Sequence, residues 1–401
     1  MRRNGIRDWT LLLSLFCSAM AVTLPARHAD AAAEPYAIHV IMPLSGRASF
    51  LGQAEQKALE IAEPIFNKSG GIHGRPVHFV FHDDQSNPQI SVQLANQVLA
   101  EHPTVLIGSS IVAMCNAMAP LMSSGPVMYC LSPGIHPPAG SYVFTSSVST
   151  YDLAAAVIRY FRLKGWTRLS LITSTDATGQ DAERGVDEVL ARPENKSVEM
   201  VARAHFNPTD VSVAAQIEHL KAAGPQALIA WTTGAPIATI FKGIVQAGLE
   251  VPVATTDGNM TYAQMTEYAS FLPKELYIPS AEWPAHGGSF KFEPAVEKAQ
   301  REFYDDYKAA NAKPDVAASL AWGPVMVLVD ALRALSPQAT AQEVRDYIAH
   351  LKNYPGIDGI YDFERNPQRG LDEHNAVVTR WSGAKEAWEV MSQPTGIPLA
   401  N

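Results

Sequence analysis

Past its first two dozen residues, this 401-residue chain has no apolar run approaching the ~20 residues that a membrane-spanning helix needs. Positive charge is also in short supply, with 31 Lys and Arg against 40 Asp and Glu and a net charge of −9. An acidic protein gains nothing from counterion release at a phosphate backbone, so nucleic acid and anionic membrane surfaces are poor partners. The signatures of common catalysts are missing: there is no Gly-x-Ser-x-Gly elbow, no P-loop and no His-Glu-x-x-His. No catalytic constellation stands out, and no cofactor is expected. His78 and His82 share one face of an alternating stretch ahead of Asp83-Asp84, but strand alternation accounts for them as an exposed face, so no metal site is assigned. Tandem repeats and low-complexity segments are absent.

What is present begins at the N-terminus. Arg2, Arg3 and Arg7 precede the short apolar run Leu11–Val22, and small residues follow at Ala29-Asp30-Ala31 and Ala31-Ala32-Ala33. This three-part layout predicts a secretory signal over residues 1–33, cleaved near Ala32–Glu34. Phe16 before Cys17 does not fit a lipoprotein box. Residues 1–31 hold four Arg against Asp8 and Asp30, so their removal takes the net charge from −9 to about −11. The ~370 residues that remain exceed the usual single-domain size, which predicts two domains.

Short apolar runs alternate with amphipathic stretches, the signature of a parallel sheet covered by helices. Strands are predicted at 38–42, 77–81, 105–108 and 127–130, with helices over 53–68, 88–101 and 111–123 between them and after them. A second series follows Ser146-Ser147-Val148-Ser149, with helices over 151–164, 179–191, 211–223 and 235–248. Its strands are predicted at 168–173, 198–204, 227–230 and 251–255. Helices over 294–311, 316–335 and 340–351 and an extended Gly/Asp-rich segment, 356–363, complete the chain. The fold class is therefore α/β, with two Rossmann-like parallel-sheet lobes. Cys115 and Cys130 fall on the same rim of the first series, where a disulfide can form in an oxidising compartment; two buried free thiols are the alternative.

Several segments in this order resemble the type I periplasmic binding proteins of the branched-chain (hydrophobic) amino-acid uptake group. They are Pro43-Leu44-Ser45-Gly46 with Gly52, Gly70-Gly71-Ile72-His73-Gly74-Arg75-Pro76, Asp83-Asp84-Gln85-Ser86-Asn87-Pro88, and Ile107-Gly108-Ser109-Ser110. Ser132-Pro133, Phe206-Asn207-Pro208-Thr209-Asp210 and Thr256-Asp257-Gly258 extend the likeness over nearly the whole chain after the signal. The resemblance implies lobe 1 from 34–148 plus 284–352 and lobe 2 from 149–283 plus 353–401. Crossovers near 146–151, 279–286 and 352–358 would join them. It further implies a monomeric periplasmic receptor that closes on a small molecule and delivers it to the permease subunits of an ABC importer. A ligand-sensing receptor module for amides or amino acids is the alternative.

In amino-acid-binding members of that family, a Ser after strand three and a hydroxyl in a Ser-Pro-x-x-Thr loop hold the ligand carboxylate. A Tyr-Gly step and an acidic residue hold the ammonium. Here an ungapped reading puts Val112 at the Ser position, with Ser109 and Ser110 close by, and the Ser-Pro loop runs through Gly134 to His136. Thr178 replaces the Tyr, and Asp257 supplies the acid. Loss of the aromatic face removes a cation–π contribution of ~0.5–2 kcal/mol to an ammonium. His136 can donate to an anion, and Phe50, Leu51, Tyr151 and Trp231 can enclose a ring, although a loop position for His136 and a core position for Trp231 explain them equally. The expected ligands are an aromatic or other hydrophobic carboxylate first, a hydrophobic amino acid second, and an amide- or urea-like compound third.

Overall fold

The computed structural model describes residues 33–288 and 290–400, so the expected signal segment lies outside the described residues apart from Ala33. The first series of elements is β1 (Tyr36–Met42), α1 (Ser49–Lys68), β2 (Val77–Asp83), α2 (Pro88–Leu99), β3 (Val105–Ile107), α3 (Val112–Met118), β4 (Val127–Cys130) and β5 (Val143–Thr145). Its five strands are all parallel, in the order β2-β1-β3-β4-β5. Ile38, Val40, Leu106, Ile107, Met128 and Tyr129 are fully buried, as strands covered on both faces must be.

The second series is α4 (Thr150–Leu163), β6 (Arg168–Ser174), α5 (Ala177–Leu190), β7 (Glu199–Phe206), α6 (Ala214–Ala222), β8 (Ala227–Trp231), α7 (Pro236–Ala247), β9 (Val253–Thr255), α8 (Tyr262–Glu267) and β10 (Leu276–Ser280). A third run holds α9 (Pro294–Ala309), α10 (Val316–Ala334), α11 (Ala341–Ala349), β11 (Tyr354–Gly356), β12 (Gly359–Tyr361), β13 (Val377–Ser382) and β14 (Ala387–Val390). The seven-stranded second sheet runs β14-β13-β10-β9-β8-β6-β7, parallel except where β13 and β14 join antiparallel. In both sheets the strand order reverses once along the chain, at β1/β3 and at β6/β8, and open α/β sheets form their ligand crevices at such points.

The elements expected from hydrophobic periodicity form, with ends that coincide or shift by up to five residues. Four strands carried no adequate signal. β5 has only three residues, β10 contains Pro279, and β13 and β14 bury their faces only by adding to a sheet built earlier in the chain. The segment expected to be extended over 356–363 is the two-stranded hairpin β11–β12. It packs on α9, where the Gln300 amide donates to the Ile357 carbonyl at 2.8 Å. The tail thus reaches the second sheet only at β13. α10 is long and apolar enough to cross a membrane by length and composition, contrary to expectation, yet most of it is buried against α1 and α11. Burial of its Val325, Leu328 and Leu332 stabilises the fold by roughly 1.5–3 kcal/mol each, which is the work of a core helix.

Cys115 in α3 and Cys130 at the end of β4 form a disulfide, with Cα atoms 6.1 Å apart. The bridge ties α3 to the rim from which the loops after β3 and β4 emerge. It closes a 15-residue separation, which constrains the unfolded chain by about 3 kcal/mol. Replacing both residues, C115A with C130A, should lower the unfolding free energy by about that amount in a denaturant titration, with secondary structure retained.

Candidate functional site

Between the carboxyl ends of the two sheets lies a cavity of about 20 Å³, room for about one water molecule. From the first sheet's side come Leu51 in the opening turn of α1, Ser110 and Val112 after β3, and Ser132, Pro133 and Gly134 after β4. From the other side come Thr150 of α4, Thr178 of α5, Trp231 at the end of β8 with Thr233 after it, and Thr256, Asp257 and Gly258 after β9. Leu320 of α10 closes the rim. The wall is rich in hydroxyl groups, with apolar surface from Leu51, Val112, Trp231 and Leu320. Among the described residues its one acid is Asp257, and no cationic side chain lines it.

Asp257 is fully buried. Its Oδ1 accepts from the Gly258 amide at 2.8 Å and from the Thr256 hydroxyl at 2.9 Å, while Oδ2 has no partner. Burial pushes its pKa up to about 6, opposed by those two hydrogen bonds and by Arg369. An orphan acceptor in a dry wall costs stability unless something donates to it. The neighbouring loop is held by Asn259, whose amide donates to the Thr232 carbonyl at 2.7 Å and to Thr255 Oγ1 at 2.9 Å, while its oxygen accepts from Gly234 N–H at 2.9 Å. That grip sets the direction of Thr233. Gly134 is required by close approach: a Cβ there would lie 2.6 Å from Val112 and 3.1 Å from Asp181 Oδ2.

The two sides touch around the cavity. Arg47 donates to Asp176 at 2.8 Å, and the Ala235 amide donates to the Arg47 carbonyl at 2.9 Å. His136 Nε2 lies 3.0 Å from Asp181 Oδ1, and the His136 and Tyr151 rings are 4.6 Å apart. Asp181 Oδ1 also meets Arg184 at 3.2 Å.

Of the residues singled out from sequence, Leu51, Ser110, Val112, Gly134, Thr178, Trp231 and Asp257 meet at this cavity. Four do not. Phe50 turns to the Tyr268 ring, edge-on at 6.0 Å. The Ser109 hydroxyl donates to Asp84 at 2.7 Å and faces away. His136 and Tyr151 pair with each other beside Asp181, so His136 does not reach the cavity wall, and the four-residue enclosure of an aromatic ring is not assembled. His78 and His82 part company as well: His82 meets His39 at 3.1 Å, while His78 lies 3.6 Å from Glu63.

Other residues were missed. Thr150, Thr233 and the flanks of Asp257 follow strand ends, the same signal that identified Ser110. Leu320 and Arg369 carry no such signal, because they arrive from the third run of the chain. Arg369 is buried and, among the described residues, forms no ion pair. Its guanidinium donates to the carbonyls of Pro133, Ile135, Ser146 and Ser147 at 2.8–3.2 Å. Burial lowers its basicity to about 10, and Asp152 and Asp181 work against that drop, so it stays charged at neutral pH. It therefore clamps the cavity loop after β4 to the segment that leads from the first sheet to the second.

The chain matches the periplasmic binding protein family over residues 35–386. A Leu/Ile/Val-binding protein homolog 3 from Brucella melitensis is 25% identical over 184 residues, 46% of this chain; the matched stretch spans 44% of that relative, less than half its length. Among solved structures, an extracellular ligand-binding receptor from Rhodopseudomonas palustris HaA2 superposes with a TM-score of 0.78 at 21% identity, covering 89% of this chain and 99% of that one. The branched-chain amino acid transporter substrate-binding protein LivJ from Streptococcus pneumoniae, in complex with isoleucine, gives 0.73 at 18%, with the same coverages. A fatty acid ABC transporter substrate-binding protein from Thermomonospora curvata gives 0.74 at 15%, covering 90% and 92%. These solved structures share the fold with this chain.

Substituting Arg369→Met would strand four carbonyls at once. A loss of at least ~3 kcal/mol in unfolding free energy is expected by denaturant titration. Arg369→Lys, which keeps the charge without the planar fork, should fall between the two.

Proposed function

The chain belongs to the periplasmic binding protein family, a family of ligand receptors rather than enzymes, and from that premise we propose that it captures a hydrophobic amino acid outside the cytoplasmic membrane for an ABC importer. The observation that carries this reading is the unpartnered Oδ2 of buried Asp257 in the cavity wall. It asks for a donor, and a ligand ammonium supplies one. A plain carboxylate ligand, aromatic or aliphatic, would instead set its negative charge in a cavity whose one charged wall residue is an acid. Leu51, Val112, Trp231 and Leu320 offer an apolar side chain its contacts, and the Ser110, Ser132 and Thr150 hydroxyls offer donors to a carboxylate.

Capture requires movement. A cavity of about 20 Å³ is far below the roughly 300–1,000 Å³ of typical small-molecule sites, so ligand entry separates the two sides. The hinge we envisage uses residues 146–149, 281–293 and 371–376, the stretches between elements of one sheet and the other. Ligand contacts on both sides then favour the closed form. Secretion by the predicted signal and delivery to a permease complete the proposed role.

Proton linkage tests the ligand class. An ammonium beside Asp257 lowers its pKa from about 6, so leucine or isoleucine should bind near pH 6 with release of about half a proton and near pH 8 with almost none. Affinity should rise with pH through that window. Calorimetry in two buffers of different ionisation enthalpy reads the proton count. Uptake instead of release, with benzoate or a fatty acid binding more tightly, would replace the amino-acid reading with the carboxylate one.

A further inference from the structure

We propose that Glu55 is a positioning residue that holds a proton and, through Ser110, makes one end of the cavity a hydrogen-bond donor for a ligand carboxylate. The proposal rests on the reading of this cavity as the ligand site. Glu55 lies four residues beyond Leu51 on α1, on the same helix face, and so stands directly behind the cavity wall. Its side chain is completely buried, and apart from the Ser110 hydroxyl beside it neither carboxyl oxygen has a hydrogen-bonding neighbour among the described residues. The groups that face it are Ser110, Asp84 from the exit of β2 and Asp315 from the cap of α10. Among the described residues it makes no ion pair.

Three acids in one dry place cannot all ionise, and hydrogen bonding decides which one keeps its proton. Asp84 accepts from the Ser109 hydroxyl at 2.7 Å and the Ser86 amide at 2.8 Å, and Asp315 accepts from the Ala317 amide at 3.1 Å. Those donors favour negative charge and oppose the rise that burial forces on both acids, Asp315 to about 7. Glu55 has only the Ser110 hydroxyl beside it, and burial together with its two acidic neighbours raises its pKa well above the ordinary value. It is the neutral member of the group.

A neutral carboxyl has an O–H to give, and the hydroxyl beside it is Ser110. Ser110 Oγ is itself buried, has no other partner among the described residues and is part of the cavity wall. When Ser110 accepts from Glu55, its own proton is free to point into the cavity, toward a carboxylate. When Glu55 ionises, that proton turns back to the carboxylate behind it, and the cavity loses a donor and gains a neighbouring charge. The direction of one hydrogen bond thus gives the cavity its polarity, with a donor end at Ser110 and an acceptor end at Asp257.

Two measurements decide it. Infrared spectra of the ligand-free protein at pH 7 should contain the C=O band of a protonated carboxylic acid that E55Q lacks and that S110A shifts. In leucine titrations at pH 7, E55Q should stay within about threefold of the unsubstituted protein, while S110A weakens binding by roughly tenfold or more. Affinity of the unsubstituted protein should fall at alkaline pH in step with the loss of that band, and E55Q should show no such fall. Absence of the band, a band unmoved in S110A, or an E55Q loss as large as that of E55A would overturn the proposal. If leucine fails to bind at all, the amino-acid reading falls, and the infrared measurement still decides the state of Glu55.

Discussion

A single buried guanidinium holds the cavity loop after β4 and the first segment between the sheets in one geometry. Arg369 has no ion-pair partner among the described residues. It donates instead to four main-chain carbonyls, two beside Gly134 and two in the segment that leads to α4. Backbone carbonyls in such loops have no ladder to satisfy them, and an unpaired buried carbonyl is costly. The adjacent Gln368 adds to the same seam: its backbone carbonyl accepts from Thr145 N–H at 2.8 Å, and its side chain meets Gly140 and Ser141. A residue late in the chain thus fixes where the Ser132–Ile135 loop stands, and with it one wall of the cavity. Its charge also lowers the pKa of Asp257, in opposition to burial.

The cavity is built mainly from side chains that can turn. Ser and Thr hydroxyls donate or accept as their neighbours dictate. The fixed points are the acids, Asp257 in the wall and Glu55 behind it, each with an oxygen that lacks a partner. Such groups destabilise the unliganded protein, and a ligand that donates to Asp257 recovers part of that loss on binding. The same logic explains why no arginine or lysine is needed to hold an anionic end: donors set by a proton on Glu55 act at short range and leave the acceptor at Asp257 unneutralised.

The fold was largely legible from the sequence because its evidence is local. Strand and helix periods, Gly70-Gly71 as a stop and Gly134 after β4 follow from neighbours in the chain. The strands that escaped notice, β5, β10, β13 and β14, are short or are completed by partners far away in sequence. Seven candidate residues meet at the cavity because the strand-end rule is a rule of topology. His136 and Tyr151 lie off the cavity because each finds the other, with Asp181 alongside, and nothing in a linear sequence reveals that contact.

By itself the sequence determined the α/β class, the succession of two parallel-sheet series, and the loops from which a cavity would be built, since each depends on residues within a few positions of one another. Only the tertiary structure decided which side chains face that cavity and which are spent on other contacts. Ser109 and Ser110 are neighbours of the same type, yet one is bound to Asp84 and the other lines the wall. Glu55 and Arg369 read as ordinary charged residues until burial removed their water. What a charged group does depends on the donors, acceptors and charges that surround it once folded, and those come from every part of the chain.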